Sequence, residues 1–154
     1  MTRFKCLILL GSILATGLTH ANKDAYLSNP VSLTRFAIQS LYSPERLIST
    51  PPGVYRTPMQ TDKGVPLFYG ASVEARPLAS WRSEQLFVTA VSIRNLLNKP
   101  IHLKYQQLIG QWQTAAFYPS ANLPARSSHN STTVILVSDH PFQESLNQDK
   151  EFMR

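Results

Sequence analysis

A single cysteine, Cys6, is the whole thiol complement of the 154-residue chain, and it stands inside an apolar run near the amino terminus. A lone thiol closes no intramolecular disulfide, so a cystine-stapled extracellular module is excluded. Carboxylates are scarce as well: nine Asp and Glu against fifteen Lys and Arg give a formal charge of +6. That balance favours acidic surfaces in general, but no run of Lys or Arg concentrates it into a nucleic-acid footprint. Between residues 63 and 138 the only carboxylates are Glu74 and Glu84. Each stands two residues from an arginine, Arg76 or Arg82, which reads as surface pairing rather than general-acid chemistry.

Signatures of chemistry are missing too. There is no HExxH helix, no GxSxG elbow, no phosphate-cradling GxxxxGKS loop and no GxGxxG turn. Beyond the amino-terminal segment the histidines are His102, His129 and His140, none at the spacing of a close zinc-ligand pair. Asp139-His140 before Pro141 reads as a strand terminator. The expectation is therefore a protein with no catalytic residues, no cofactor and no metal site.

No apolar run is long enough to span a bilayer. Cys6 to Leu18 covers thirteen residues where about 20 are needed. Arg3 and Lys5 precede that run and Thr19-His20-Ala21 follows it, the layout of a secretory signal peptide over residues 1–21. Cleavage after Ala21 removes Cys6, and export without disulfides points to a bacterial periplasm.

What is present is β-sheet. Leu86 to Arg94 is rich in β-branched and aromatic residues without Gly or Pro. Asn95 to Pro100 interrupts it with turn residues, and Ile101, Leu103 and Tyr105 then alternate with His102 and Lys104. After Gly110, the positions Trp112, Thr114, Ala116 and Tyr118 share one face of a further strand, with Ala115 and Phe117 on the other. Ser131 to Ser138, STTVILVS, is a continuous β-branched run that reads as a buried central strand. Thr50 to Pro66 carries Pro51, Pro52, Pro58 and Pro66 and predicts edge strands and loops. Pro77 likewise confines Val73 to Trp81 to short strand-like pieces.

One helix is expected, starting with Ser32 as N-cap. Leu33, Phe36, Ala37, Ser40 and Leu41 fall on one face at spacings of three and four, a pattern suited to packing on the sheet. Ser43-Pro44-Glu45 ends it. The fold class is all-β, an antiparallel β-sandwich with one short N-terminal amphipathic helix. Its parts are a signal peptide over 1–21, a lead-in and helix over 22–49, the sandwich over 50–146 and a flexible tail over 147–154.

With a catalytic inventory this thin, binding is the open role. Aromatic and arginine side chains dominate interface hot spots, which makes Tyr55, Arg56, Tyr69, Trp81, Arg94, Tyr105 and Tyr118 the candidate partner-contact surface. Trp81 is also expected to anchor its loop against the core.

Three segments carry a family resemblance: NPVSLTRFAIQSLYSPERLI, VPLFYGASVEARPLASWRSEQLFVTAVSIRNLLNKPIHL and LIGQWQTAAFYPSANLPARSSHNSTTVILVSDHPFQESL. Over about Asn29 to Leu146 the chain resembles the carboxyl-terminal part of a conserved integrating-conjugative-element protein family, whose members look like TraK-like periplasmic core-complex subunits of conjugative type IV secretion. Family members carry a further β-rich region ahead of the LTRFA segment. The resemblance implies a non-enzymatic assembly component in the periplasm and outer-membrane core complex. Its implied partners are other core-complex proteins, including an outer-membrane lipoprotein, in an oligomer without direct nucleic-acid contact. The alternative is a free periplasmic β-sandwich binding module for sugar or DNA.

Overall fold

The computed structural model describes residues 28–152, with side chains described to residue 148. The expected signal peptide and most of the lead-in lie outside the described residues. Within them the elements run α1 (Pro30–Tyr42), β1 (Tyr55–Thr57), β2 (Val73–Arg82), β3 (Phe87–Asn95), β4 (Ile101–His102), β5 (Thr114–Tyr118), β6 (Asn122–Leu123), β7 (Ser131–Ser138) and α2 (Phe142–Phe152).

Five strands form one antiparallel sheet in the order β1-β2-β3-β7-β5, and β4 pairs with β6 in a separate ribbon. The all-β expectation holds. The core strands sit where the β-branched runs are: β7 follows STTVILVS, and Thr132 to Ser138 are all buried. A strand with both faces out of water has no polar face to show in its sequence, hence Val134 to Val137 without alternation.

Each face of the large sheet has its own cover. On one side α1 lays Leu33, Phe36 and Ala37 on Ala79, Trp81, Val88, Ala90, Ile135 and Val137. Burying Leu33 and Phe36 stabilises this contact by about 1.5–3 kcal/mol each, well above what helix propensity supplies. The other side packs Ala75, Val91, Ile93, Val134 and Leu136 against Leu67, Leu103, Ile109, Leu123, Phe142 and Leu146. That second layer is the β4–β6 ribbon, loops and α2, not a second sheet of matching size.

Sequence and structure differ at four places, each with a physical reason. Asn29, rather than Ser32, caps α1: its Oδ1 accepts from Val31 N at 2.9 Å and Ser32 N at 3.4 Å, with Pro30 at the first helical position. The stretch around Pro77 is one ten-residue strand, because the pairing slips between Pro77↔Val91 and Ala79↔Ala90. Leu78 is the extra residue of that β-bulge. The slip turns Ala75 and Ala79, which have the same parity in sequence, to opposite faces of the sheet. The expected strand at Ile101–Tyr105 is cut to two residues, and a 3₁₀ turn occupies Tyr105–Gln107. Finally, the expected tail from Asn147 continues a helix begun at Phe142, so the described residues hold a second helix where a single one was expected. Among the described side chains of α2, Phe142 and Leu146 enter the core, too sparse a pattern to show a helical period in a polar segment.

Two polar devices tie the loops to this frame. Asn95, fully buried, donates from Nδ2 to Lys99 O (2.9 Å) and Pro124 O (2.7 Å), while its Oδ1 accepts from Leu97 N. Asn130 Nδ2 in turn donates to Asn95 O at 2.6 Å. At the other end of the molecule Gly110, with φ of 107°, lets Gln111 N reach Ser145 O of α2 at 2.9 Å. A Cβ there would sit 2.8 Å from that same oxygen.

Because β7 is covered on both sides, Ile135→Ala and Leu136→Ala should each lower unfolding free energy in urea by about 2–5 kcal/mol. A near-neutral result for either one would mean that its face of the sheet is wet.

Candidate edge-strand surface

The two edges of the large sheet are β1 and β5, four strand spacings apart, roughly 19 Å. An edge strand presents backbone donors and acceptors on one side that no neighbouring strand uses. The candidate contact residues divide between these edges, the core and a groove on the sheet face.

At the β1 edge, Tyr55 is 69% exposed and opposes Arg82, while Arg56 opposes Trp81. The Arg56 guanidinium lies 6.0 Å from the centroid of the Trp81 ring, at the outer limit of a cation–π contact. Trp81 is only 5% exposed and meets Phe36 edge-on at 5.8 Å. Trp81 is thus a core residue under α1 and offers no contact surface, which corrects its place among the candidates. It anchors a strand rather than the loop expected there, since it lies within β2. β1 itself is three residues long and is followed by Pro58, so it offers little ladder to a partner.

Arg94 falls elsewhere. It is exposed, opposes Glu74 across β2–β3, and lines a polar groove on the sheet face with Ser92 and Ser131. Glu74 pairs with Arg76 at 2.6 Å, an exposed contact worth little.

The β5 edge gathers the rest. Phe117 and Tyr118 point to opposite faces of the strand, and each meets exposed rings. Tyr118 packs on Tyr42 with centroids 4.9 Å apart, on the α1 side. Phe117 packs on Tyr105 at 5.0 Å and on Phe68 at 6.3 Å, on the far side. Tyr69 is brought alongside by a bond from its amide to Gln107 O at 2.7 Å, next to the 3₁₀ turn that carries Tyr105. Tyr42 is 51% exposed and Tyr105 54%, so these rings face water on both flanks of the open edge. The Tyr42 hydroxyl shares a 2.5 Å hydrogen bond with Thr133 Oγ1, which fixes the end of α1 over the β7–β5 pair.

Of the sequence candidates, then, Tyr105 and Tyr118 flank the β5 edge on opposite faces and Tyr69 is tied near Tyr105 by its backbone, while Tyr55, Arg56 and Arg94 lie elsewhere. Tyr42, Phe68 and Phe117 belong to the surface and were not among the candidates. Phe117 was legible from the alternation through Tyr118, but Tyr42 and Phe68 meet it only through tertiary folding.

The histidines do not converge. His102 Nδ1 and Asn122 Oδ1 are 2.6 Å apart across the ribbon, His129 contacts Ser128, and His140 lies 3.8 Å from Glu144 on the first turn of α2 with both half exposed. Among the described residues no group of three or more His, Cys, Asp and Glu gathers in a metal-holding arrangement, and no helix is long and apolar enough to cross a membrane.

Fold and surface together define an antiparallel β-sheet protein with an aromatic-flanked open edge. A family model described as "Protein of unknown function (DUF3438)" matches residues 15–154, and the chain belongs to that family. No curated protein matches it significantly.

Tyr42→Phe should cost about 1–3 kcal/mol, as read by urea denaturation, because it leaves the buried Thr133 hydroxyl without its partner. A loss no larger than that of an exposed Tyr105→Phe control would mean that the Thr133 bond does not hold α1 in place.

Proposed function

We propose that this chain is a non-enzymatic assembly component of a conjugative type IV secretion core complex, exported to the periplasm by its amino-terminal segment. One observation carries the assembly part of this reading: β5 is an open sheet edge with aromatic rings on both flanks. Strand addition at such an edge takes affinity from main-chain hydrogen bonds and specificity from side chains on alternate faces. Tyr118 with Tyr42 on one flank, and Phe117 with Tyr105 and Phe68 on the other, supply large contact area on rigid side chains. An edge left bare in this way in a free monomer is a liability that proteins ordinarily blunt with charge or proline. Thr114 to Tyr118 holds no charged residue, and the first proline after it, Pro119, comes only once the strand has ended.

The conjugative setting rests on the sequence resemblance over about Asn29 to Leu146. Within it the partners are other core-complex proteins, including an outer-membrane lipoprotein, and nucleic acid is not contacted directly. The net positive charge of the chain supports acidic protein surfaces as docking partners.

The test is co-purification of the tagged full-length protein from cells that carry a conjugative transfer system. The expected result is recovery in a large envelope complex with core proteins. A monomer that stays free and saturates with a sugar or single-stranded DNA would instead support the free binding module. Within the complex, the double substitution Tyr105→Lys with Tyr118→Lys should reduce partner recovery at least about tenfold while leaving Tm within a few degrees. Undiminished recovery would remove the β5 edge from the interface.

A further inference from the structure

The hydrogen-bond phase of the sheet decides which backbone groups of β5 are free. Asn95 N donates to Asn130 O at 2.9 Å, so Asn130 and every second residue of β7 after it turn their amides and carbonyls toward β3. Val137 O accepts from Gln113 N at 2.8 Å, so the odd-numbered residues of β7 turn toward β5. Thr114, Ala116 and Tyr118, which oppose Val137, Ile135 and Thr133, therefore spend their amides and carbonyls on β7. Pro119 requires the same phase, since in the opposite one the Tyr118↔Thr133 pair would need its N–H and it has none. The N–H and C=O groups of Ala115 and Phe117 are left pointing out of the sheet at its open edge.

Those groups fit a second copy of the same strand. Antiparallel pairing of β5 with β5 about a two-fold axis at Ala116 sets Ala115 opposite Phe117 of the other copy, and Phe117 opposite its Ala115. Every free donor and acceptor is then used. An axis at Ala115 would set Phe117 against Gln113, whose amide is taken by Val137 O. An axis at Phe117 would set Ala115 against the missing amide of Pro119.

Side-chain sizes select the same register. Tyr118 lies across from Thr114 of the other copy on the α1 face, and Phe117 across from its Ala115 on the far face. Each ring thus opposes a small residue. Ala116 meets its own counterpart on the axis as a non-hydrogen-bonded pair, with Cα atoms about 4.5 Å apart, where side chains come closest. TAAFY carries no charge, so no like charges face each other across the pair.

We infer that the β5 edge pairs with β5 of a second copy, joining two five-stranded sheets into one across a two-fold axis at Ala116. The inference rests on the reading of β5 as an assembly edge and names the occupant of that edge. A five-residue ladder with its flanking rings belongs among the small, transient interfaces, below about 1,200 Å². The dilute protein is therefore monomeric with its edge open. Pairing needs a concentration on the order of 0.1 mM, or the effective concentration of two copies held in one complex.

The experiment is disulfide trapping in the full-length protein carrying Cys6→Ser. Ala116→Cys puts two Cα atoms about 4.5 Å apart on the axis, within the disulfide range of about 4.4–6.8 Å, and should give a covalent dimer under mild oxidation at about 0.1 mM. Thr114→Cys sits four residues along the strand from its own counterpart, roughly 14 Å, and should stay monomeric. In the unmodified protein the amide resonances of Ala115 and Phe117 should shift between about 10 μM and 1 mM. Ala115→Pro removes an outward amide but no bond to β7, and should weaken pairing at least about tenfold. Ala116→Lys, which sets two ammonium groups on the axis, repeats that test should Ala115→Pro not fold. No covalent dimer from Ala116→Cys, an equal yield from Thr114→Cys, amide resonances that ignore concentration, or undiminished pairing in the folded disruptive variant would each overturn the inference. Hydrogen exchange separates the two readings: without pairing, fast exchange at Ala115 and Phe117 overturns only the occupant, whereas slow exchange at about 10 μM overturns the open edge as well.

Discussion

Seven consecutive residues of β7, Thr132 to Ser138, lie out of water, and a strand in that condition needs cover on both faces of its sheet. The rest of the structure answers that need. α1 closes one face with Leu33, Phe36 and Ala37, and the loop, ribbon and α2 layer closes the other with Leu67, Leu103, Ile109 and Leu123. β3 shares the condition, with Val88 and Ala90 facing α1 and Val91 and Ile93 facing the loops. With the two central strands fixed by packing, the outer ones are left to meet solvent or a partner.

The bulge at Leu78 is what lets one strand serve both covers. Before it, Ala75 faces the loop layer opposite Ile93; after it, Ala79 and Trp81 face α1 opposite Ala90 and Val88. A one-residue slip in register reverses every side chain beyond it, so the bulge decides that Trp81 lies under Phe36 rather than on the surface. Leu78 itself stays 38% exposed.

How much of this was legible in the residues depends on how local its cause is. β3, β7 and α1 follow from composition and period, because burial on a fixed face imposes a repeat on the residues themselves. The register slip at Pro77 leaves no such mark: a proline argues against a continuous strand, and only pairing with β3 reveals that the strand goes on. α2 was missed because Phe142 and Leu146, its core residues among the described side chains, set no visible period in a polar segment. The candidate surface was half visible. Tyr105 and Tyr118 were named as isolated aromatics, yet what relates them is β5: Phe117 meets Tyr105 with tilted rings on one face while Tyr118 meets Tyr42 on the other. Trp81 shows the opposite failing, since composition alone does not distinguish a large aromatic in the core from one at an interface.

If β5 is an edge held only from the β7 side, its amides fall into two classes, and hydrogen exchange on the isolated full-length protein separates them directly. The amides of Val134 to Val137 should exchange only through near-global unfolding, while those of Thr114 to Tyr118 that do not donate to β7 should exchange orders of magnitude faster. Addition of the captured partner should slow that fast class selectively. Uniform protection of Thr114 to Tyr118 at the level of β7 in the free protein would mean that the edge is already closed, and would contradict the account.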